Sequence, residues 1–365
     1  MAMLSPAASK TGSTSAESAP TFDTTIDHDM IDHIEFQKYA HPRTFSLFDP
    51  ALIRDREQLS ARAARLRQIR GHSDFDDDQR GAAYRARQLA VPRSREHGDR
   101  KILEAIGKRL GGFNFRQAGL DVIGGNGTTA RTAATLLTFP DVPYIIAGDP
   151  CLDMVNNALS QRLPAVWQCA QESPFADNSF DFVIGSRGFH HVPEDAREQA
   201  FSEANRILKP GGVLMVVDFE EGSPTARWYS EGLEKYTATG HQYRHFTVAS
   251  FGALLDAADF GHRSVFKLYD PFRFYGASAE DVRNTLLEHV VGMFGMVKLQ
   301  REPLETARDY WTRVAHIISP WCSMSPSDVS FDVEGLPRLS VIQEADGRWR
   351  AEMPRVALCA IGTKT

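Results

Sequence analysis

The residues able to do chemistry cluster just after short apolar runs. Leu120-Asp121-Val122-Ile123 leads into Gly124, Gly125, Asn126 and Gly127, and a helical pattern opens at Thr128. Glycine permits positive φ and lets a ligand approach the backbone without meeting a Cβ. A helix start adds unpaired N–H groups and a partial positive charge, so such a turn suits a nucleotide-like ligand. Asp149, at the end of the next apolar run, is placed to accept bonds from ribose hydroxyls. His190 and His191 follow the run 180–186, and Gly240-His241-Gln242-Tyr243-Arg244-His245 forms a polar loop further on. An imidazole there could serve as general base toward a hydroxyl or an acidic carbon.

The elements that must position these residues alternate between strand and helix. Apolar runs fall at 120–123, 143–148, 165–170, 180–186 and 213–219, with helical stretches at 127–138, 151–161 and 194–208. Continuous Val/Ile/Leu runs separated by helices imply a parallel sheet covered on both faces, a doubly wound α/β arrangement. A helix at 248–259 opened by Thr247, a strand near 263–269 and a last strand at 356–362 extend it. The 51–70 stretch repeats Leu52, Leu59, Ala63 and Leu66 on one helical face, and its arginines read as a solvated surface. Helices at 78–90 and 94–110 follow, and Gly111-Gly112 stops the run. Residues 276–337 read as an insertion with helices at 279–297 and 304–318, and Asp346-Gly347 signals a hairpin. The expected organisation is a disordered tail (1–20), a helical N-terminal cap (21–115), a core (116–275), a helical insertion and hairpin forming an acceptor lid (276–352), and a last core strand (353–365).

Composition bounds the function. The net charge of −6 and absence of a basic stripe argue against a nucleic-acid partner. No apolar run is long enough for a membrane span, and the N-terminus lacks a secretory core, so a cytoplasmic protein is expected. The four cysteines are scattered, which suits a reducing compartment. His28, Asp29, Asp32, His33 and His41 are metal-capable types, but their spacing matches no ligand set, and no metal is expected.

The glycine turn alone also fits the dinucleotide fingerprint G-x-G-x-x-A at 125–130. The order of later motifs separates the readings. Gln171-Glu172-Ser173-Pro174-Phe175-Ala176-Asp177-Asn178-Ser179-Phe180-Asp181 runs into Val183-Ile184-Gly185-Ser186, then Phe189-His190-His191-Val192, then Leu208-Lys209-Pro210-Gly211-Gly212. Together with AGDPCLDMVNNA (147–158), this resembles class I S-adenosylmethionine-dependent methyltransferases, in the branch of the ubiquinone and menaquinone C-methyltransferases. The resemblance covers roughly residues 84–270. It departs at Ile123, where the family usually has its first glycine, and at Cys169, where an acid often contacts the adenine amino group.

The resemblance implies a Rossmann-like, seven-stranded, mostly parallel sheet and S-adenosyl-L-methionine as cofactor. It implies cofactor contacts at Tyr84, Asp121, Ile123, Gly124, Gly125, Asn126, Gly127, Asp149, Pro150, Cys169, Ala170, Gln171, Ser186 and Arg187. In this reading Asp121 and the loop amides orient the methionine end, Asp149 takes the ribose, and the Ala170 N–H serves adenine. His191 and His245 are the candidate catalytic bases for in-line methyl transfer to a small-molecule acceptor, a secondary metabolite or a lipid-like or aromatic compound. Tyr269, Phe272, Phe274, Tyr275, Tyr310 and Trp311 are candidates for an apolar acceptor wall or for core. Two other readings stay open: a cofactor binder that transfers no methyl, and an NAD-dependent oxidoreductase. Oligomeric state is open too, a homodimer included.

Overall fold

The computed structural model describes residues 29–70, 78–238, 240–324 and 337–365. The tail 1–20 and His28 lie outside the described residues. Seven strands form the main sheet: β1 (Ala118–Asp121), β2 (Tyr144–Asp149), β3 (Ala165–Trp167), β4 (Phe180–Ser186), β5 (Leu208–Asp218), β6 (Phe260–Tyr269) and β10 (Val356–Lys364). Their order is β3-β2-β1-β4-β5-β10-β6, parallel except for β10, which runs antiparallel to both neighbours. Helices sit on both faces, so β1 is buried along its whole length. Strands of this kind read as unbroken apolar runs because neither face meets water. The expected α/β sheet is present.

Boundaries shift where local chemistry overrides hydrophobicity. Strand β1 begins at Ala118 and ends at Asp121, so Val122 and Ile123 belong to the turn. The 51–70 helix is two helices, Pro50–Arg54 and Arg56–Arg70, broken at Asp55. Leu59, Ala63 and Leu66 are buried at helical spacing, as the pattern predicts. The arginines opposite are not simply solvated: Arg62 and Arg65 both reach Glu172, tying the cap to the loop after β3. Gly111 ends the helix Glu96–Leu110 in a left-handed conformation (φ 75°). Thr247 opens the helix Val248–Ala257 through a reciprocal cap with Ser250.

The segment between β6 and β10 builds a second sheet that hydrophobic pattern did not reveal. Strands β7 (Phe272–Gly276), β8 (Ser340–Gln343) and β9 (Trp349–Met353) pair antiparallel in the order β7-β9-β8. The helices Ala279–Met293 and Ala307–Ile318 bury Val282, Leu286, Val290, Val314 and Ile318 with Phe272, Phe274 and Ala351 from that sheet. Phe272, Phe274, Tyr310 and Trp311 belong to this core, while Tyr269 donates its hydroxyl to Glu352 (2.5 Å) and Tyr275 is exposed. Four of these aromatics therefore complete a core, and none of the six lines the cleft described below.

Candidate functional site

Beyond the C-terminal ends of β1, β2 and β4 lies a cleft of about 720 Å³. Such sheets carry ligands there, where strand order reverses. The turn after β1 is built by backbone bonds: Gly124 N–H to Gly148 (2.8 Å) and Gly127 N–H to Gly124 (2.9 Å). Gly125 and Gly127 take φ of 53° and 82°, the left-handed region that side chains avoid. A Cβ on Gly125 would meet no atom of the described residues within 4 Å, and Gly125 lines the cleft. A Cβ on Gly127 would instead strike Leu163 at 2.7 Å. The two glycines thus have different tasks, one toward the cleft and one toward the fold.

Two carboxylates flank the turn. Asp149 accepts from Gly125 N–H through Oδ2 (2.9 Å) and from Cys151 N–H through Oδ1 (2.9 Å). The carboxylate also lines the cleft. Asp121 is buried, and its Oδ1 has no hydrogen-bond partner among the described residues. Burial pushes its carboxyl up to about 6, against opposing bonds from Thr129 and the Ile123 backbone. A buried, unsatisfied carboxylate oxygen on a cleft wall fits a ligand ammonium.

Of the other expected cofactor contacts, Tyr84, Ile123, Gly124, Pro150, Cys169, Ala170, Gln171, Ser186 and Arg187 line the cleft. Pro150 is fixed through its carbonyl, which accepts from the Trp167 indole (2.9 Å). Burial pushes the Cys169 thiol up to about 11, so it stands there neutral. Asn126 and Gly127 do not line the cleft. Asn126 is buried, and its carbonyl accepts from Arg131 (2.6 Å), which turns the residue inward as a brace for the loop. Arg187, with φ 60°, donates to Asp99 (2.6 Å) and twice to Asp270 (2.6 and 2.8 Å). Its charge is neutralised by the fold, which lets a cation lie nearby without repulsion.

At the far end stand the histidines. His190, in the turn Phe189–His191, donates its backbone N–H to Asp218 Oδ2 (2.9 Å), and its Nδ1 lies 2.9 Å from Oδ1. Asp218 closes β5 and also accepts from Phe219 N–H (2.8 Å). Its burial alone would raise the carboxyl, but His190 and His245 hold it well below the usual range. His190 is lowered by burial, against the pull of Asp218. A carboxylate only accepts, so Nδ1 carries the proton and Nε2 presents its lone pair. Nε2 lies 3.3 Å from His241 Nε2.

His191 lines the cleft, as expected of a candidate base. His245 does not: it is buried with Nδ1 toward Asp218 (3.3 Å), a buttress behind the pair, because its loop folds back beside β5. Asp218, the partner of His190, is the site residue that the sequence motifs do not single out. The signal was an acid ending a buried strand (Val216-Val217-Asp218), where an acid has no packing reason to be. Cap residues Gln68, Ile69, Gln88 and Arg95 and loop residues Gln242–Arg244 also line the cleft, whereas no described residue of 276–352 does. The apolar faces of the described residues of this insertion are consumed in the second core. His33, one of the early metal-capable residues, accepts from Trp167 N–H (3.1 Å), and burial lowers it to about 3. No described helix is long and apolar enough to cross a membrane.

Residues 120–216 match the family described as Methyltransferase domain. YafE of Escherichia coli is 36% identical over 91 residues, 25% of this chain and 42% of that protein. The ubiquinone/menaquinone biosynthesis C-methyltransferase UbiE of Brucella canis is 34% identical over 108 residues, 28% of this chain and 39% of that protein. The chain thus spans about two fifths of the length of these curated relatives. Among solved structures, the YcgJ protein from Bacillus subtilis aligns at 16% identity, 73% of this chain, 98% of that chain and a TM-score of 0.42. Phosphoethanolamine N-methyltransferase 2 of Haemonchus contortus aligns at 21%, 72%, 52% and 0.42. The glycine turn with its two acids thus falls inside the stretch, residues 120–216, that matches the family described as Methyltransferase domain.

Proposed function

We propose that the protein transfers a methyl group from S-adenosylmethionine to a small-molecule acceptor. One observation carries this reading: a single cleft has the acidic glycine turn at one end and an imidazole cluster at the other. The cofactor, when bound, supplies an electrophilic methyl on a sulfonium. The residues fit it. Asp121 Oδ1 receives the ammonium, the Asp149 carboxylate on the cleft wall takes the ribose hydroxyls, and the open side of Gly125 leaves room for the methionine end. Displacement at the methyl is in line, so alignment and water exclusion carry most of the rate.

The acceptor enters between the cap and residues 242–244, where Val192, Pro193 and Tyr243 offer apolar and aromatic surface. It is a small molecule, aromatic or lipid-like, bearing one polar atom toward His190 and His191. That cluster handles the acceptor's proton or charge, with Asp218 fixing the tautomer of His190. Isothermal titration with S-adenosylmethionine and S-adenosylhomocysteine tests the reading. Micromolar binding of both is expected, followed by a methylated product in an acceptor screen read by mass. Absence of binding to both would overturn it.

A further inference from the structure

We propose that His190, His191 and His241 form a binding site for one divalent transition-metal ion of the zinc class at the imidazole end of the cleft. Their ligand atoms lie within 4.8 Å of one another, and the Nε2 atoms of His190 and His241 are 3.3 Å apart. Two imidazole nitrogens on a tetrahedral zinc, each at about 2.0–2.1 Å, stand roughly 3.3–3.4 Å apart. Two of the three ligands already hold that spacing. His191, half-buried on the cleft wall, completes the set with a side-chain shift on the order of an ångström within its rotamer well.

Two further observations point to a cation. Asp218 receives the Nδ1–H of His190, the carboxylate–imidazole arrangement that orients metal-bound histidines and makes the other nitrogen a better donor. Asp218 is also fully buried, and among the described residues its salt-bridge partners are only His190 and His245, with no lysine or arginine. Buried charge is ordinarily paired or metal-linked, and an ion on His190 Nε2 supplies positive charge one ring away. The other candidate set, His190, Asp218 and His245, is closed to an ion because the Asp218 oxygens already accept from His190 N, His190 Nδ1, His245 Nδ1 and Phe219 N. The first set draws on two loops 50 residues apart, which is why no spacing in the sequence exposed it.

Three protein ligands leave a fourth position for water or an acceptor oxygen, the pattern of catalytic zinc sites. That use of the ion rests on the methyl-transfer reading; the site itself does not. The test uses tag-free, chelator-treated full-length protein titrated with Co2+ and then Zn2+. One equivalent of Co2+ with the visible absorption of a tetrahedral site, displaced by Zn2+, is expected. His191→Ala and His241→Ala are expected to weaken Co2+ binding by about a hundredfold or more, and Asp218→Asn by about 10–100-fold. Melting temperature and S-adenosylhomocysteine affinity, measured on the same samples, confirm folding. Loss of Co2+ affinity in folded variants upholds the site even if S-adenosylhomocysteine binds none of them, a result that would sink the methyl-transfer reading instead. No saturable one-to-one binding by the unaltered protein, or unchanged affinity in both histidine variants, would overturn it.

Discussion

The carboxylate of Asp149, at the end of β2, accepts the backbone N–H of Gly125 at 2.9 Å and so holds the turn of β1 in its left-handed shape. The same carboxylate faces the cleft, so one side chain both shapes the loop and offers acceptor capacity to a ligand. Asp149→Asn keeps one acceptor oxygen but loses the charge. Charge-assisted bonds are worth about 1.5–3 kcal/mol each. The expected result is a 10–100-fold weaker Kd for S-adenosylhomocysteine by titration calorimetry, with a melting temperature lowered by a few degrees. An unchanged Kd would exclude Asp149 from the ribose site.

Gly125 and Gly127 should separate by phenotype. A Cβ at Gly125 meets no atom of the described residues but enters the cleft, so Gly125→Val folds with a strain of about 1–2 kcal/mol and loses cofactor binding by more than a hundredfold. At Gly127 the added carbon would sit 2.7 Å from Leu163, so the damage falls on packing between the turn and the chain before β3. Gly127→Val is expected to cost about 3 kcal/mol or more in stability. Thermal melts and calorimetry on both variants distinguish the two. Equal stability loss in both would contradict this division of labour.

How far the sequence reveals such a site depends on how local the information is. The turn, its helix and Asp149 are legible because glycine, acid and helix start lie within thirty residues on consecutive elements. The parallel sheet is legible because burial on both faces writes long apolar runs. The His190–Asp218 pair is not legible in the same way. Its partners sit on different strand ends, and only the fold brings Nδ1 and Oδ1 to 2.9 Å. His245 misleads for the converse reason: a polar loop residue next to candidates in sequence turns inward to Asp218. Of the second sheet only the β8–β9 hairpin is legible, through its Asp346-Gly347 turn, whereas its pairing with the short β7 is written in no local pattern.

Asp121 supplies a pH test with two opposite signs. Burial raises its carboxyl to about 6 in the folded protein, above the ordinary aspartate value, so the native state binds a proton more readily than the unfolded chain. Between about pH 4 and 6 the Asp121 contribution to ligand-free stability is therefore present at low pH and lost as pH rises. Affinity for the cofactor ammonium runs the other way, because only the carboxylate attracts it. Kd for S-adenosylhomocysteine should weaken as pH falls through 6, approaching tenfold per pH unit below it. Asp121→Asn should flatten both profiles while weakening binding at neutral pH. A pH-independent Kd from 5 to 7 in the unaltered protein would remove Asp121 from the ammonium site.

The last prediction concerns the frame that keeps the cleft open. Asp270, between β6 and β7, is buried and holds two guanidiniums: Arg187 at 2.6 Å and Arg355 at 2.7 Å. Arg187 also reaches Asp99 on the helix Glu96–Leu110, so the cap, β4, the end of β6 and the start of β10 meet at one charge cluster. That helix approaches closely enough that a Cβ on Gly98 would stand 1.9 Å from Asp270 Oδ1. Removing one partner of a buried ionic set leaves uncompensated charge, at a cost of about 3–5 kcal/mol. Asp270→Ala should therefore lower stability by that amount, and Gly98→Ala should lower it as well by forcing the carboxylate off Arg187. Denaturant unfolding measures both. Asp270→Ala also leaves two guanidiniums, Arg187 and Arg355, against the single carboxylate of Asp99, so the cluster gains one unit of positive charge beside the cleft. Affinity for the sulfonium-bearing S-adenosylmethionine should then fall more than affinity for neutral-sulfur S-adenosylhomocysteine. An equal fall in both would mean the cluster supports the cleft by packing and leaves its electrostatics untouched.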